Sequence, residues 1–180
     1  MLGPRLDGTQ GVALVPATLA HFKLHPKWEL QPEVTRFWGP RFGDVSEESQ
    51  DKRFRDTAES QTQIQWTISY QEEPVGFTGI FGIDWVRRDG ESGIFIGRHD
   101  LFGRGIASEA VRLRTAFAWN ELRLHRVHNW ISNANRGSRR ANQKSGYRQI
   151  GLLPRSYFRS AEWYDEWLGE AFPRTFPENA

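Results

Sequence analysis

The sequence predicts a mixed α/β fold in which helices flank a central mixed sheet. Alternating side chains predict strands in QIQWTISY and HRVHNWIS, and Ile64, Trp66 and Ile68 would share one face of the first. Apolar residues spaced four, three and four apart, from Ile106 to Phe117, predict an amphipathic helix between these strands. A meander of strands followed by alternating strands and helices is typical of one α/β domain, which we expect to span residues 1–180.

The remaining elements of the N-terminal half are predicted from strand patterns and helix caps. GVALVP is expected to form a strand, and Thr18 is a suitable N-cap for a short helix after it. Ser46 or Ser49 would cap a longer, charged helix. The glycines of VGFTGIFGIDW indicate a bulged strand, and the Asp89-Gly90 pair predicts a hairpin turn before the strand SGIFIG.

The C-terminal half is predicted to hold a second helix between strands. Asn135 is a good N-cap, and Gly146 a good C-terminal stop, for the segment NRGSRRANQKSG. YRQIGLL and AEWYDEWLGEAF are expected to form two closing strands.

Composition excludes several classes of function. The chain has no cysteine, which rules out disulfides, thiolate catalysis and cysteine–zinc sites. No apolar run reaches the roughly 18–20 residues that cross a membrane, and a net charge of +2 is weak for a nucleic-acid binder. We therefore expect a cytoplasmic protein without a membrane or nucleic-acid partner.

The segment HDLFGRGIASEA, residues 99–110, has the features of a phosphate-binding loop. Gly103 and Gly105 free the backbone to turn its N–H groups inward, directly before the predicted helix with its positive dipole end. A nucleotide-triphosphate loop would need Lys-Ser/Thr where Ile106 and Ala107 stand, and a dinucleotide fingerprint would need glycine in place of Ser108. The loop is therefore predicted to hold a pyrophosphate without a metal.

The chain resembles the GNAT superfamily of acyl-CoA-dependent N-acyltransferases, and within it the RimJ/RimL-like branch, from about Val12 to Phe172. The resemblance rests on DLFGRGIA, the SEA that follows, and the downstream HRVHNWIS, NAN, RGS and RRANQKSGY segments. Asp100 departs from this pattern, because Gln or Arg is usual there. The resemblance implies the GNAT fold, a central splayed mixed β-sheet flanked by helices, with acetyl-CoA as co-substrate and no metal.

The resemblance also implies which residues hold acetyl-CoA. The backbone of Phe95, Ile96 and Gly97 would pair with the pantetheine arm like an added strand. The pyrophosphate would lie on the loop residues Phe102, Gly103, Arg104, Gly105, Ile106, Ala107 and Ser108. Asn135 would bind pantetheine or cap the next helix, whose cations Arg136, Arg139, Arg140 and Lys144 include candidates for the CoA 3′-phosphate.

Two catalytic residues are predicted from the resemblance, Glu91 and Ser138. Many relatives place a tyrosine acid where Asn142 stands, so Ser138 is the candidate that hydrogen-bonds the leaving sulfur, or else it satisfies the first helical turn. Glu91 is the candidate base, and His99 or Tyr157 acting through water remains an alternative.

The amine acceptor remains open. Aromatic candidates for its wall are Trp38, Phe42, Trp85 and Tyr164. The acceptor would be a primary amine, either the N-terminus of a protein or a small amine such as a polyamine or an aminoglycoside-like compound. Acidic residues in the segments expected to form the acceptor site are mixed with Arg41, Arg87 and Arg88. These charges favour neither a protein N-terminus nor a small amine as the acceptor. A non-catalytic CoA-binding module is the third alternative, and monomer and homodimer are both compatible with the sequence.

Overall fold

The computed structural model describes residues 1–37, 46–159 and 161–175. These residues form one sheet of eight strands in the order β1-β2-β3-β4-β5-β6-β8-β7. The strands are β1 (Leu6–Asp7), β2 (Val12–Pro16), β3 (Ile64–Tyr70), β4 (Glu73–Asp84), β5 (Asp89–Ile96), β6 (Arg126–Ser132), β7 (Arg148–Arg159) and β8 (Glu162–Ala171). Neighbouring strands are antiparallel except β5 and β6, which are parallel. The predicted mixed sheet is confirmed.

Helices cover the sheet, and their predicted caps are confirmed. They are α1 (Leu19–Phe22), α2 (His25–Glu29), α3 (Pro32–Thr35), α4 (Glu47–Glu59), α5 (Ile106–Asn120) and α6 (Arg136–Lys144). The side chains of Thr18, Ser46 and Asn135 accept hydrogen bonds from first-turn N–H groups of α1, α4 and α6. Strand β1 and the short helices α2 and α3 were not predicted, and β7 extends six residues beyond the predicted strand end. No helix within the described ranges is long and apolar enough to cross a membrane.

Helix α5 provides the core's central contact with the sheet. Ile106, Ala110 and Leu113 are buried, as the spacing predicted, and they pack in one cluster with Trp66 and Trp167 from the strands. Burial of such aromatic and aliphatic side chains supplies most of the driving force for folding. The cluster fixes the start of α5 against the sheet.

The predicted Asp-Gly turn is wrong. Residues 85–88 form the turn, and Asp89 and Gly90 already belong to β5. Asp84 closes this turn by accepting hydrogen bonds from the N–H groups of Val86 and Arg87, both at 2.9 Å. Gly90 is needed for packing instead, because a Cβ there would lie 2.7 Å from Cγ2 of Ile80.

Strands β5 and β6 separate shortly after they meet. Their register pairs run only from Asp89↔Arg126 to Glu91↔His128. Beyond Glu91, β5 continues beside β4, whereas β6 continues beside β8. The centre of the sheet therefore opens into a wedge with its vertex at Glu91 and His128, as expected for a splayed sheet.

Candidate active site in the central cleft

A cavity of about 160 Å³ lies in the wedge between β5 and β6. Strands β5, β6, β7 and β8 and helices α5 and α6 all contribute to its wall, which includes Ser138 and Asn135. Ligand sites in open α/β sheets form where neighbouring strands diverge, because backbone groups there lack strand partners. This cavity is the candidate active site.

The inner edge of β5 offers backbone groups to a ligand. Gly97 donates its N–H to the carbonyl of Val75 on β4 at 2.8 Å. Because hydrogen bonding alternates along an antiparallel pair, the backbone N–H and C=O groups of Gly97 and Phe95 face β4. The backbone N–H and C=O groups of Ile94 and Ile96 face the opposite way, into the cleft. Of the three residues predicted to pair with pantetheine, only Ile96 is oriented for it, and Ile94 joins it.

Gly97 and Phe95 instead fix the position of this edge. A Cβ on Gly97 would lie 2.1 Å from the Trp28 ring, so glycine allows Trp28 to pack directly on the strand. The Phe95 ring is buried and stacks on Phe77 with 5.1 Å between centroids. The sequence did not distinguish these packing roles from ligand binding.

The two glycines of the predicted phosphate loop have left-handed backbone conformations. Gly103 and Gly105 have φ of 80° and 84°, which is the left-handed region that favours glycine. Within the described chain, Glu109 is the first α5 residue whose N–H bonds to a backbone carbonyl, that of Gly105 at 3.1 Å. The N–H groups of residues 103–108 are therefore available to an anion, and they fit a pyrophosphate.

Asp100, the departure from the family pattern, is neutralised by a neighbour. Arg98 donates to both of its carboxylate oxygens, at 2.8 and 2.7 Å. These bonds lower the pKa of Asp100 to about 2. The ion pair keeps an unpaired negative charge away from the phosphate loop.

The cations of α6 divide into two groups. Arg136, Arg139 and Arg140 line a second depression of about 250 Å³ together with Gln143. Lys144 is exposed and does not line it. Three guanidinium groups around one depression fit a phosphate better than separate surface cations do.

Asn135 and Ser138 have distinct roles at the start of α6. Oδ1 of Asn135 accepts the N–H of Ser138 at 3.1 Å, so Asn135 is the helix cap. The Ser138 hydroxyl makes no hydrogen bond within the described residues, and Ser138 lines the cavity. Its hydroxyl is thus available to a ligand.

Asn142 and Asn129 hold the cavity together. Asn129 Nδ2 donates to Asn142 Oδ1 at 2.7 Å, and Asn142 Nδ2 donates to the carbonyl of Ser138 at 2.9 Å. Both asparagines are buried. Asn142, at the position where relatives place a tyrosine acid, is therefore a structural link between β6 and α6.

A buried arginine lies at the vertex, and sequence reasoning missed it. Arg114 of α5 is fully buried; its Nη1 donates to Thr78 Oγ1 at 2.8 Å and to the carbonyl of Gly93 at 2.9 Å. Its Nη2 lies 3.4 Å from the hydroxyl of Tyr147. Helical spacing could have revealed it, because Arg114 follows Ala110 and precedes Ala118 by four residues, and both are fully buried.

The candidate bases lie in different surroundings. Glu91 is exposed and does not line the cavity. Successive side chains of a strand point to opposite faces of the sheet, and Ser92, the next residue, points toward Tyr147. His128 is its register partner, and burial followed by the nearby Arg126 charge lowers the pKa of His128. Tyr157 lines the cavity with its hydroxyl buried and without a hydrogen-bond partner in the described chain, and burial raises its pKa.

His99 is outside this group. It is exposed, its Nδ1 lies 3.0 Å from Gln31 Oε1, and it does not line the cavity.

The predicted aromatic wall is only partly described. Trp38 and Phe42 lie outside the described residues. Trp85 bonds the carbonyl of Gln61 through Nε1 at 2.8 Å, and Tyr164 bonds Glu162 at 2.7 Å; neither lines the cavity. The wall instead includes Phe37 and Glu166, which the sequence analysis did not select.

Comparison with known proteins connects this geometry to a family. The sequence model described as "Acetyltransferase (GNAT) domain" matches residues 12–148. Probable N-acetyltransferase YjcK of Bacillus subtilis (strain 168) is 36% identical over 63 residues. These residues are 35% of this chain and 35% of that protein, so the match spans about a third of the relative's length.

Solved structures show the same fold. Spermidine N-acetyltransferase from Vibrio cholerae, in complex with CoA and spermine, has a TM-score of 0.82 at 13% identity, covering 92% of this chain and 97% of that one. RimL, a ribosomal L7/L12 alpha-N-protein acetyltransferase in complex with coenzyme A, has a TM-score of 0.81 at 12% identity, covering 94% and 98%. The predicted resemblance is confirmed: because the family match covers more than half of the sequence, this chain belongs to the GNAT acetyltransferase family.

Proposed function

We propose that this protein transfers the acetyl group of acetyl-CoA to a primary amine, and specifically to the N-terminal amine of a protein. The observation that carries the proposal is the wedge between β5 and β6, which contains the cavity bordered by Ser138. The phosphate loop follows directly after β5. A CoA thioester with its pyrophosphate on that loop would direct its arm along β5 into the cavity.

Residues of this chain fit each part of the donor. The N–H groups of residues 103–108 would bind the pyrophosphate, and Arg140 with its neighbours Arg136 and Arg139 would bind the 3′-phosphate. The cleft-facing groups of Ile94 and Ile96 would pair with the pantetheine amides. Lys144, off the depression, would contribute through its charge alone.

The chemistry needs few groups. Acetyl-CoA supplies the activated acyl thioester. The cleft-facing N–H of Ile94 would donate to the thioester carbonyl oxygen as negative charge develops there. The free hydroxyl of Ser138 would donate to the leaving sulfur. Glu91, adjacent to His128, would accept the amine proton through water, with Tyr157 as the alternative.

The charges in the cavity favour a peptide amine over a polyamine. Among the described wall residues, Glu166 is the only carboxylate, and Arg114 is a cation on the same wall. A polyamine carries several positive charges and would need several carboxylates. An N-terminal amine carries one charge and loses it before attack.

A donor and acceptor panel tests this function. Acetyl-CoA should raise the thermal midpoint, and free CoA thiol should be released with peptides bearing a free N-terminus. Turnover with spermidine or aminoglycosides but not with peptides would replace the proposed acceptor. Stabilisation by acetyl-CoA without thiol release across the panel would support a non-catalytic CoA-binding module.

The base is tested separately with two variants. Glu91→Gln should remove the acidic limb of the pH–rate profile and lower kcat, whereas Tyr157→Phe should keep that limb. A full pH–rate profile in Glu91→Gln, with loss of rate in Tyr157→Phe, would assign the base to Tyr157 instead.

A further inference from the structure

Arg114 is a fully buried cation with no carboxylate partner among the described residues. Its partners among the described residues are two hydroxyls and one carbonyl, which are all neutral. A guanidinium has five N–H donors, and the Nε–H here has no partner in the described chain. An unpaired buried charge is costly, and an anionic ligand removes that cost.

The position of Arg114 connects this charge to the acyl end of the donor. Strand pairing ends at Glu91 and His128, and the next residue on each strand, Ser92 and Asn129, lines the cavity together with Arg114. The wall near the vertex is thus polar, and the fully buried Arg114 side chain lies within it. Small apolar acyl groups are normally held by apolar walls, since buried polar groups need partners.

The hydroxyl of Tyr147 and its neighbours extend this polar vertex. The hydroxyl oxygen of Tyr147 lies 3.1 Å from Ser92 Oγ and 3.4 Å from Arg114 Nη2. Oδ1 of Asn129 is also buried without a partner. A carboxylate at the vertex would accept from the guanidinium, and Tyr147, which is buried and does not line the cavity, would hold Arg114 and Ser92 in position.

The cavity, with a volume of about 160 Å³, would hold the thioester sulfur and the acyl group together. Each added methylene extends an acyl chain by roughly 1.3 Å, so two of them carry a terminal carboxylate roughly 4 Å past the thioester carbonyl carbon.

We propose that the vertex around Arg114 binds the terminal carboxylate of a dicarboxylic acyl group, so that the enzyme takes succinyl-CoA-type donors besides acetyl-CoA. The inference rests on the proposed function, because it places a CoA thioester in the cleft. The amine nitrogen attacks the thioester carbonyl carbon; the C–N bond forms, the C–S bond breaks, and the CoA thiolate leaves and acquires the proton that the amine loses. The distal carboxylate is unchanged, and nothing is oxidised or reduced.

The carboxylate on the same cavity wall does not oppose this assignment. Glu166 pairs in register with Ser132, three residues along β6 from Asn129. At about 3.3 Å per residue, that separation is roughly 10 Å along the strand. Glu166 therefore lies toward the open end of the wedge, near Tyr157, and Arg114 lies at its vertex.

A purely structural role for Arg114 makes a different prediction. Its Nη1 bonds to Thr78 and Gly93 would hold α5 against β4 and β5 whichever donor binds. Donor selectivity would then be unrelated to the charge. The two roles are separated by measuring donor binding without any acceptor.

The experiment compares the affinities of acetyl-, butyryl- and succinyl-CoA by isothermal titration. Butyryl-CoA is the neutral control for chain length. The wild-type protein should bind succinyl-CoA at least tenfold more tightly than butyryl-CoA. Arg114→Met should abolish this preference. Arg112→Met, which removes a cation paired with Glu109 on the same helix, should keep it and change acetyl-CoA affinity less than threefold.

The outcomes are distinguishable from failure of the proposed function. Equal wild-type affinities for succinyl- and butyryl-CoA, or a preference that persists in Arg114→Met, would overturn the inference. The wild-type comparison stands even if Arg114→Met fails to fold, and Tyr147→Phe, which keeps the cation, should weaken the preference only in part. If no amine releases thiol from any donor, the proposed transfer fails, while the affinities still decide the role of Arg114.

Discussion

Asn129 on β6 and Asn142 on α6 are joined by a 2.7 Å hydrogen bond beside the point where β5 and β6 part. Because β6 loses its pairing with β5 there, this bond and the onward bond from Asn142 to the Ser138 carbonyl fix the position of α6 relative to the strand. The orientation of Ser138 therefore depends on a side chain that takes no part in the chemistry.

Asn142→Ala should lower the free energy of unfolding by about 1–3 kcal/mol, because it removes the short bond from buried Asn129 Nδ2 and the side-chain bond to the Ser138 carbonyl. Urea denaturation measures the change. Gln143→Ala, at an exposed position on the same helix, is the matched control and should change stability by less than about 0.5 kcal/mol. Equal effects of the two variants would contradict the role of the Asn129–Asn142 bond.

Gly105→Ala should destabilise the protein by about 1–2 kcal/mol, since φ of 84° places its residue in the left-handed region. It should also weaken CoA binding, because it alters the loop that presents the N–H groups. Gly137→Ala is the control: its φ is not positive, a Cβ there would have no heavy atom closer than 3.8 Å, and it lies within α6. It should be neutral or stabilising by up to about 1 kcal/mol.

Arg98→Ala should raise the KM for acetyl-CoA, because it leaves the Asp100 carboxylate unpaired three residues before Gly103. We expect a roughly two- to fivefold increase at low ionic strength that shrinks in high salt. The double variant Arg98→Ala, Asp100→Asn removes both charges and should restore the KM. A KM that stays high in the double variant would mean that Arg98 itself contacts the donor.

Ser138→Ala should lower kcat roughly tenfold or more with little change in the KM for acetyl-CoA, if its hydroxyl hydrogen-bonds the leaving sulfur. Ser156→Ala, on the exposed part of β7, is the control and should keep wild-type kcat. Unchanged turnover in Ser138→Ala would eliminate this role.

Stability should fall as the pH drops below about 6.5, because burial lowers the pKa of His21 and His128 in the folded protein. In the unfolded chain these imidazoles bind protons at a pH near 6.5, where in the folded protein they are still neutral. Lowering the pH therefore favours unfolding until it reaches the lowered pKa values of the folded protein. Nδ1 of His21 also accepts from the N–H of Thr18 at 3.3 Å, which requires that nitrogen to be unprotonated. The double variant His21→Asn, His128→Asn should flatten the dependence of thermal midpoint on pH between about 7 and 5. An unchanged slope would assign that dependence to other groups.

Local signals in the sequence were sufficient for much of the scaffold and for the phosphate loop. Alternation predicted β3 and β6, side-chain caps predicted the starts of α1, α4 and α6, and the two glycines predicted a turned backbone before α5. These features depend on neighbouring residues, so a short window contains the determining interactions.

The vertex was not predicted, because its interactions join distant parts of the chain. Gly90 looked like a turn residue, but its contact is with Ile80 on the adjacent strand. Arg114 was not selected from the sequence, and its partners Thr78, Gly93 and Tyr147 come from three other segments. Which glycine makes a turn, and which groups a buried arginine contacts, is decided by packing.

The wedge between β5 and β6 gives the sheet two strand edges in its interior. Edge strands are usually confined to the rim of a sheet, where short length and charged side chains prevent pairing with other molecules. Here the edge of β5 is placed at the bottom of a narrow cleft, where access is limited by the neighbouring strands. The amide hydrogens of Ile94 and Ile96 thus lack the protection from solvent exchange that a continuous ladder gives, and a bound pantetheine arm would supply it.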